Sequence, residues 1–270
     1  MDTQTPPPVQ AMDADPTVVD AAVRFCDDVL ASPYVTLEAS PVWNPSDCNP
    51  DPTPYTVTLP ITDSSGEKAL SMIIEVPELY QWHGSIVTAE GVSVARMSNK
   101  SRKRVNHFDL FTAPVPVEWD QSGKIFAEVN EESEDCDCCV PGSGIKPRVF
   151  ANGPRDRIYL SVAESQPTKL KLQKAACWLF PLCFVVPHIV MLCCFCCLSL
   201  KEEHAFRDGH EEKVIGKRVS SNFCFPMEPG AQDTSLHLEG MTSEQRRLAL
   251  VAVMYEAGDH YSRPQPKGGG

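Results

Sequence analysis

Bases are scarce at the start of this 270-residue chain. Residues 1–66 hold ten acids and one base, Arg24, so that stretch carries −9 of the formal net charge of −12 and leaves −3 for the remainder. Phosphate repels such a chain, which argues against nucleic acid as a partner. The opening MDTQTPPPVQAMDADPTVVD lacks a basic first region and an apolar core, so a secretory leader is not expected. It is too acidic and too poor in Arg for a mitochondrial presequence. Without a leader, the 12 cysteines are expected to be reduced, cytosol-facing thiols and not a disulfide framework. A G-x-G-x-x-G after a strand, a Walker loop, H-E-x-x-H and G-x-S-x-G are all missing. No nucleophile can be paired with a base. The expectation is therefore a protein without enzymatic activity.

A second absence is local. AACWLFPLCFVVPHIVMLCCFCCLSL, residues 175–200, contains no Asp, Glu, Lys or Arg. It exceeds the roughly 20 apolar residues that a membrane helix needs, but Pro181, Pro187 and His188 interrupt it. A straight span, a Pro-broken re-entrant hairpin and a strand with its edge at a membrane surface all remain open. Cys193, Cys194, Cys196 and Cys197 suit acylation beside a membrane. They also form two overlapping C-x-x-C pairs, and Cys136/Cys139 in CDCC make a third. Two such pairs could hold zinc in a tetrahedral Cys₄ site, against a long intervening gap and a greasy setting around Phe195. Buried cysteines packing as small hydrophobes are the third reading.

The rest of the chain alternates short β patterns with turns. Residues 1–14 read as a disordered Pro-rich tail. Asp15-Pro16 reads as a cap and first turn, followed by a helix over 16–30 with Val19, Ala22, Val23, Cys26 and Leu30 at helical spacing. Residues 33–54, with six prolines, read as a linker or irregular arm, so that 1–54 forms an acidic N-terminal arm. From Tyr55 onward YTVTLPIT, KALSMIIEV, SIVTAEGVSVARM (with Gly91 as hairpin or bulge), HFDLFTA, EKVIGKRVSS and TSLHLEG predict strands. QSGKIFAEV and RDRIYLSV echo each other and predict equivalent strands of an antiparallel meander. SEQRRLALVAVMYEAG predicts a helix over Glu244–Ala257, capped by Ser243, stopped by Gly258 and buried in or against the sheet. Residues 55–261 thus form one mainly β domain, and 262–270 a disordered tail. His204 and His210 fall in a polar stretch with Glu202, Glu203, Asp208, Glu211 and Glu212, which reads as a solvated charge run or a weak metal loop. The loop NKSRKRVNH carries Lys100, Arg102, Lys103 and Arg104. It is either a solvated hairpin loop or a contact for anionic headgroups.

SGKIFAEVNEESEDCDCCVPGSGIKPRVFANGPRDRIYLSVAES resembles the phospholipid scramblase family. The matching pieces are Lys124–Glu132, Cys136, Cys138, Cys139, Arg148–Gly153 and Ile158–Glu164. CCFCCLSLKEE resembles that family's palmitoylated cysteine stretch, EKVIGKRVSS a later strand, and RRLALVAVMYEAG its terminal apolar helix. The resemblance covers about residues 105–261; the apolar stretch Cys177–Met191 has no counterpart, and Arg246 and Arg247 depart from the family's helix. It implies a tubby-like antiparallel barrel of about twelve strands around an apolar C-terminal helix. It implies lipid anchors at Cys193, Cys194, Cys196 and Cys197. It also implies a calcium segment before the helix, near which Asp233, Glu239 and Glu244 fall; calcium wants six or more oxygens. The expected function is a membrane-associated scramblase-like or tubby-like protein at the cytoplasmic face, which binds or moves phospholipid or scaffolds there. The alternative is a single-span accessory subunit of a large membrane protein complex.

Overall fold

The computed structural model describes residues 15–38, 54–66, 68–78, 80–99, 114–133, 147–161, 200–222 and 234–262. The elements run α1 (Pro16–Leu30), β1 (Tyr34–Leu37), β2 (Tyr55–Thr62), β3 (Lys68–Glu78), β4 (Gln81–Thr88), β5 (Ser93–Asn99) and β6 (Val115–Trp119). Then come β7 (Ile125–Ser133), β8 (Pro147–Asn152), β9 (Arg157–Leu160), β10 (Leu200–Asp208), β11 (Val214–Asn222), β12 (Thr234–His237) and α2 (Ser243–Ser262). Each strand pairs antiparallel with its sequence neighbours, and β12 returns to β1. The result is a closed twelve-stranded meander, mainly β as expected.

Alternation explains which face turns inward. Side chains along a strand point to opposite faces. Val57, Leu59 and Ile61 of β2, Leu70, Met72, Ile74 and Val76 of β3, and Val115, Val117 and Trp119 of β6 are all buried. The intervening Thr56, Thr58, Pro116 and Glu118 are exposed. SIVTAEGVSVARM is indeed a hairpin: it supplies β4 and β5, and Gly91 turns it at φ +80°, a conformation that glycine adopts without a Cβ penalty. The two echoing segments become β7 and β9, which flank β8 in one meander. HFDLFTA lies outside the described residues.

Two boundaries differ from expectation. β1 lies inside the stretch read as an irregular arm. Its four residues pair with β12 through Tyr34↔His237 to Leu37↔Thr234 and with β2 through Leu37↔Ile61, which closes the barrel. A strand this short carries little pattern, and its pairing partners are distant in sequence. The charge run at 202–212 is only half loop: His210, Glu211 and Glu212 lie in a turn, but Glu202, Glu203, His204 and Asp208 belong to β10. His204 sits on β10 opposite Arg218 of β11, which in turn faces Leu236 of β12. Leu236 and its partner Val35 are fully buried, so His204 and Arg218 share the interior face.

Helix α2 threads the barrel. It packs against β3 and β4 and also against β7, β8 and β9, and every residue from Leu248 to Tyr255 is buried. Eight consecutive buried positions span more than two turns, so the helix is covered on all sides. Its start is a capping box one residue earlier than expected. The Gln245 amide donates to Thr242 Oγ1 (3.1 Å), and the Thr242 amide donates to Gln245 Oε1 (3.0 Å). This reciprocal pair satisfies two otherwise orphaned donors. Gly258 does not stop the helix, which continues to Ser262. Glycine is there because a Cβ would lie inside the ring of Trp82.

Candidate functional site

In a closed meander, successive connections alternate between the two ends. At one end the chain reverses at Asp63–Gly66, Glu90–Val92, Asp120–Lys124, Gly153–Asp156, Gly209–Lys213 and Leu238–Thr242. Local chemistry suffices for these turns. Gly66, Gly91, Gly123 and Gly240 hold positive φ. The carboxylates of Asp63, Asp120 and Asp208 accept backbone amides two residues on, from Ser65 (2.9 Å), Ser122 (3.0 Å) and His210 (2.8 Å), as Asx turns do.

Helix α1 docks at this closed end. Val19, Ala22, Cys26, Val29 and Leu30 are buried against β1, β3, β5 and α2. Asp15 caps it by accepting from the Thr17 amide at 2.9 Å, with Pro16 in the first turn, as expected. The two arginines that opened the last-helix motif clasp α1. Arg246 Nη1 donates to the Leu30 carbonyl at 2.9 Å, where a helix leaves acceptors unsatisfied. Arg247 makes a forked pair with the Asp27 carboxylate, its Nε donating at 2.7 Å. Its guanidinium carbon also lies 5.2 Å from the centre of the Trp119 ring. Sequence reasoning saw the arginines but not their partner, which is 220 residues away. Cys26 beneath them is a packing residue. Burial pushes its thiol up to about 12; Asp27 adds to the shift and Arg247 opposes it.

The other end is the candidate site. The connections 38–54, 100–114, 134–146, 161–199 and 223–233 all leave and re-enter the barrel at this rim. Lys100, Arg102, Lys103 and Arg104 fall in one of them. Cys136, Cys138 and Cys139 fall in another, and Cys193, Cys194, Cys196 and Cys197 with the apolar stretch in a third. Of the 12 cysteines only Cys26 lies elsewhere. All these basic and cysteine residues lie outside the described residues, as does residues 175–200 apart from Leu200, where β10 begins. Among the described residues, no helix is long and apolar enough to cross a membrane.

The described part of the rim holds the half-buried Tyr55, Tyr80 and Tyr261 above the fully buried Trp82. The end of α2 is fastened there: the Tyr80 amide donates to the Ser262 carbonyl at 2.9 Å, and the Tyr55 hydroxyl donates to the Tyr261 carbonyl. Trp82 meets Tyr255 edge-on, with ring centres 5.8 Å apart. His260 and Tyr261 make a similar contact at 5.2 Å. Burial raises the Tyr55 and Tyr261 phenols above their ordinary range, so both stay protonated.

Between the ends, the interior has a polar sector. Arg218 pairs with Glu256 of α2. His204 Nδ1 lies 3.1 Å from the Ser161 carbonyl. Burial, helped by the charge of Arg218, lowers the His204 imidazole to about 4, so it is neutral at pH 7.

The acids of the expected calcium segment do not assemble among the described residues. Glu239 is an exposed turn residue at the closed end. Glu244 Oε1 accepts the backbone amides of Arg155 (2.8 Å) and Asp156 (3.0 Å), joining α2 to the β8–β9 turn. Asp233 lies outside the described residues. No group of three His, Cys, Asp or Glu side chains that could hold a metal occurs among the described residues. Comparison with protein-family models, curated proteins and solved structures finds no match for the chain.

Proposed function

We propose that this chain is a membrane-associated, scramblase-like or tubby-like protein that turns its loop-bearing rim toward the cytoplasmic face of a bilayer, to bind or move phospholipid or to scaffold there. One observation carries the reading: the basic cluster, the charge-free stretch and eleven of the 12 cysteines all belong to connections rooted at one rim. Apolar chain and thiols would enter or anchor to the bilayer, and bases would meet anionic headgroups at about 1 kcal/mol each. A closed twelve-stranded barrel threaded by its last helix supports the tubby-like reading of the fold. Cys193–Cys197 precede β10 by only a few residues. At no more than about 3.5 Å per residue, acyl chains on them would hold the rim within about 25 Å of the membrane. Two chains give stable anchoring where one does not.

The test is alkaline carbonate extraction of membranes before and after hydroxylamine, on the wild-type chain and on a variant with Cys193, Cys194, Cys196 and Cys197 all changed to Ala. An acyl-held barrel leaves the membrane after hydroxylamine, and the variant partitions to the soluble fraction. Changing Lys100, Arg102, Lys103 and Arg104 to Gln weakens binding to phosphatidylserine vesicles, most at low salt. A chain that stays in the membrane through all treatments is instead a spanning subunit. Stoichiometric zinc lost with the four cysteines moves them to metal binding.

A further inference from the structure

One serine stands at the foot of the basic cluster. Ser98 is the second-last residue of β5, and the chain from Arg96 to Arg104 reads RMSNKSRKR. A base stands two residues before Ser98 (Arg96), and four follow it (Lys100, Arg102, Lys103 and Arg104). No acid occurs between Glu90 and Asp109. In a chain of net charge −12 this stretch is matched to an enzyme with an acidic substrate cleft. Serine kinases choose substrates by charge patterns of this kind.

The fold presents the hydroxyl. Ala95 and Met97 are buried, so Arg96 and Ser98 alternate with them onto the outer face of the barrel, and both are half-exposed. Ser98 Oγ lies 2.7 Å from Nδ1 of His83, its exposed partner on β4. Arg96 Nε donates to Ser93 Oγ at 3.1 Å. Two acids face this patch. Glu75 lies beyond His83, which stands between it and Ser98, and Glu118 lies opposite Arg96. β6 pairs with β5 only as far as Met97, so among the described residues no strand pairs with Ser98 on that side. A second serine shows what the fold excludes. Ser220 follows Lys217 and Arg218 on β11, but Arg218 is turned into the barrel onto Glu256, so those two bases are not presented together.

We propose that Ser98 is a phosphorylation site for a basic-directed serine kinase, and that its phosphate loosens the rim from anionic headgroups. Ser98 Oγ attacks the γ-phosphorus of ATP on the kinase. The bond to the bridging oxygen breaks, ADP leaves, and the hydroxyl proton passes to the kinase's catalytic base. The phosphate brings about −1.5 to −2 charge, which offsets about two bases of the cluster, and an anionic surface repels it. The Ser98 site does not depend on the membrane reading; the loosening rests on it.

The test treats the full chain with ATP and the catalytic fragment of protein kinase C. Phosphate is mapped by mass spectrometry, and binding to phosphatidylserine vesicles is measured at low salt. Ser101 lies in the same run of bases, so Ser98→Ala and Ser101→Ala variants are compared. Phosphate is expected on Ser98 in the wild-type and Ser101→Ala chains. Vesicle binding should weaken about tenfold or more on phosphorylation, and kinase treatment should leave binding by the Ser98→Ala chain unchanged. Phosphate on Ser101 alone, or none on the folded chain, would overturn the proposal. Phosphate on Ser98 with unchanged vesicle binding, where Gln at Lys100, Arg102, Lys103 and Arg104 does weaken it, would overturn the loosening and leave the membrane reading standing. No vesicle binding by the unmodified chain would overturn the membrane reading and the loosening together, with the Ser98 site still decided by the mapping.

Discussion

At the closed end the chain turns back on glycine at Gly66, Gly91 and Gly123; at the rim the same strands are joined through 38–54, 100–114 and 134–146. The closed end is covered by α1. The connections rooted at the rim are those whose sequence holds the basic cluster, eleven cysteines and the charge-free stretch. The difference follows from antiparallel closure. Neighbouring strands run in opposite directions, so every other connection shares an end. Connections that hold motifs more than 30 residues apart in the chain are thereby rooted at one edge, while the alternate connections can stay minimal. A meander barrel with insertions in one set of connections only is therefore two-faced by construction.

The largest effect should come from breaking the contact that holds α2 to the rim. Trp82 is fully buried between Tyr255 and Gly258, so Trp82→Ala should cost about 3–5 kcal/mol. Denaturant unfolding measures this, and the loss should be global because α2 touches strands across the barrel. Equal destabilisation from a surface change such as Glu118→Ala would contradict the arrangement.

A smaller effect, confined to the closed end, is expected from Arg247→Leu. It removes the forked bond to Asp27 and the contact with Trp119. Hydrogen bonds to charged groups contribute about 1.5–3 kcal/mol, and partial exposure of the pair puts this one toward the low end. Hydrogen exchange should quicken about tenfold in α1 and change little in β3 and β4. Uniform acceleration would mean that α1 unfolds only with the barrel.

The smallest effect concerns the polar sector. His204 stays neutral in the fold down to about pH 4, whereas the unfolded imidazole takes a proton near pH 6.5. Unfolding between these values takes up a proton, so stability falls as pH drops from about 6.5 to about 4. Allowing for partial exposure, the loss is about 1–2 kcal/mol. His204→Gln should flatten that part of the pH profile, read as the denaturant midpoint at pH 7 against pH 4.5.

The amino-acid sequence by itself determined most of the local structure. Asp15-Pro16 starts α1, because a short acceptor and a pre-set φ are enough to begin a helix. The alternation in Tyr55–Thr62 and the glycine of the 88–93 turn specify strands and a hairpin through neighbours a few residues apart. The apolar run Leu248–Tyr255 specifies a buried helix. What the sequence left open depends on groups that meet only in space. β1 is a strand because β2 and β12 both offer it hydrogen bonds, and four residues cannot declare that alone. Gly258 resembles a helix stop until the Trp82 ring occupies the room a side chain would need. Glu244, counted among candidate calcium acids, is engaged by two backbone amides of a turn 88 residues away. Arg246 and Arg247 stand out in sequence only as a departure from the family's helix, and their partners Leu30 and Asp27 appear when α1 docks. That the connections holding bases, thiols and apolar chain are rooted at one rim is likewise invisible in the order of residues. It comes from closure of the barrel, which sets each connection's end by strand direction and not by distance along the chain.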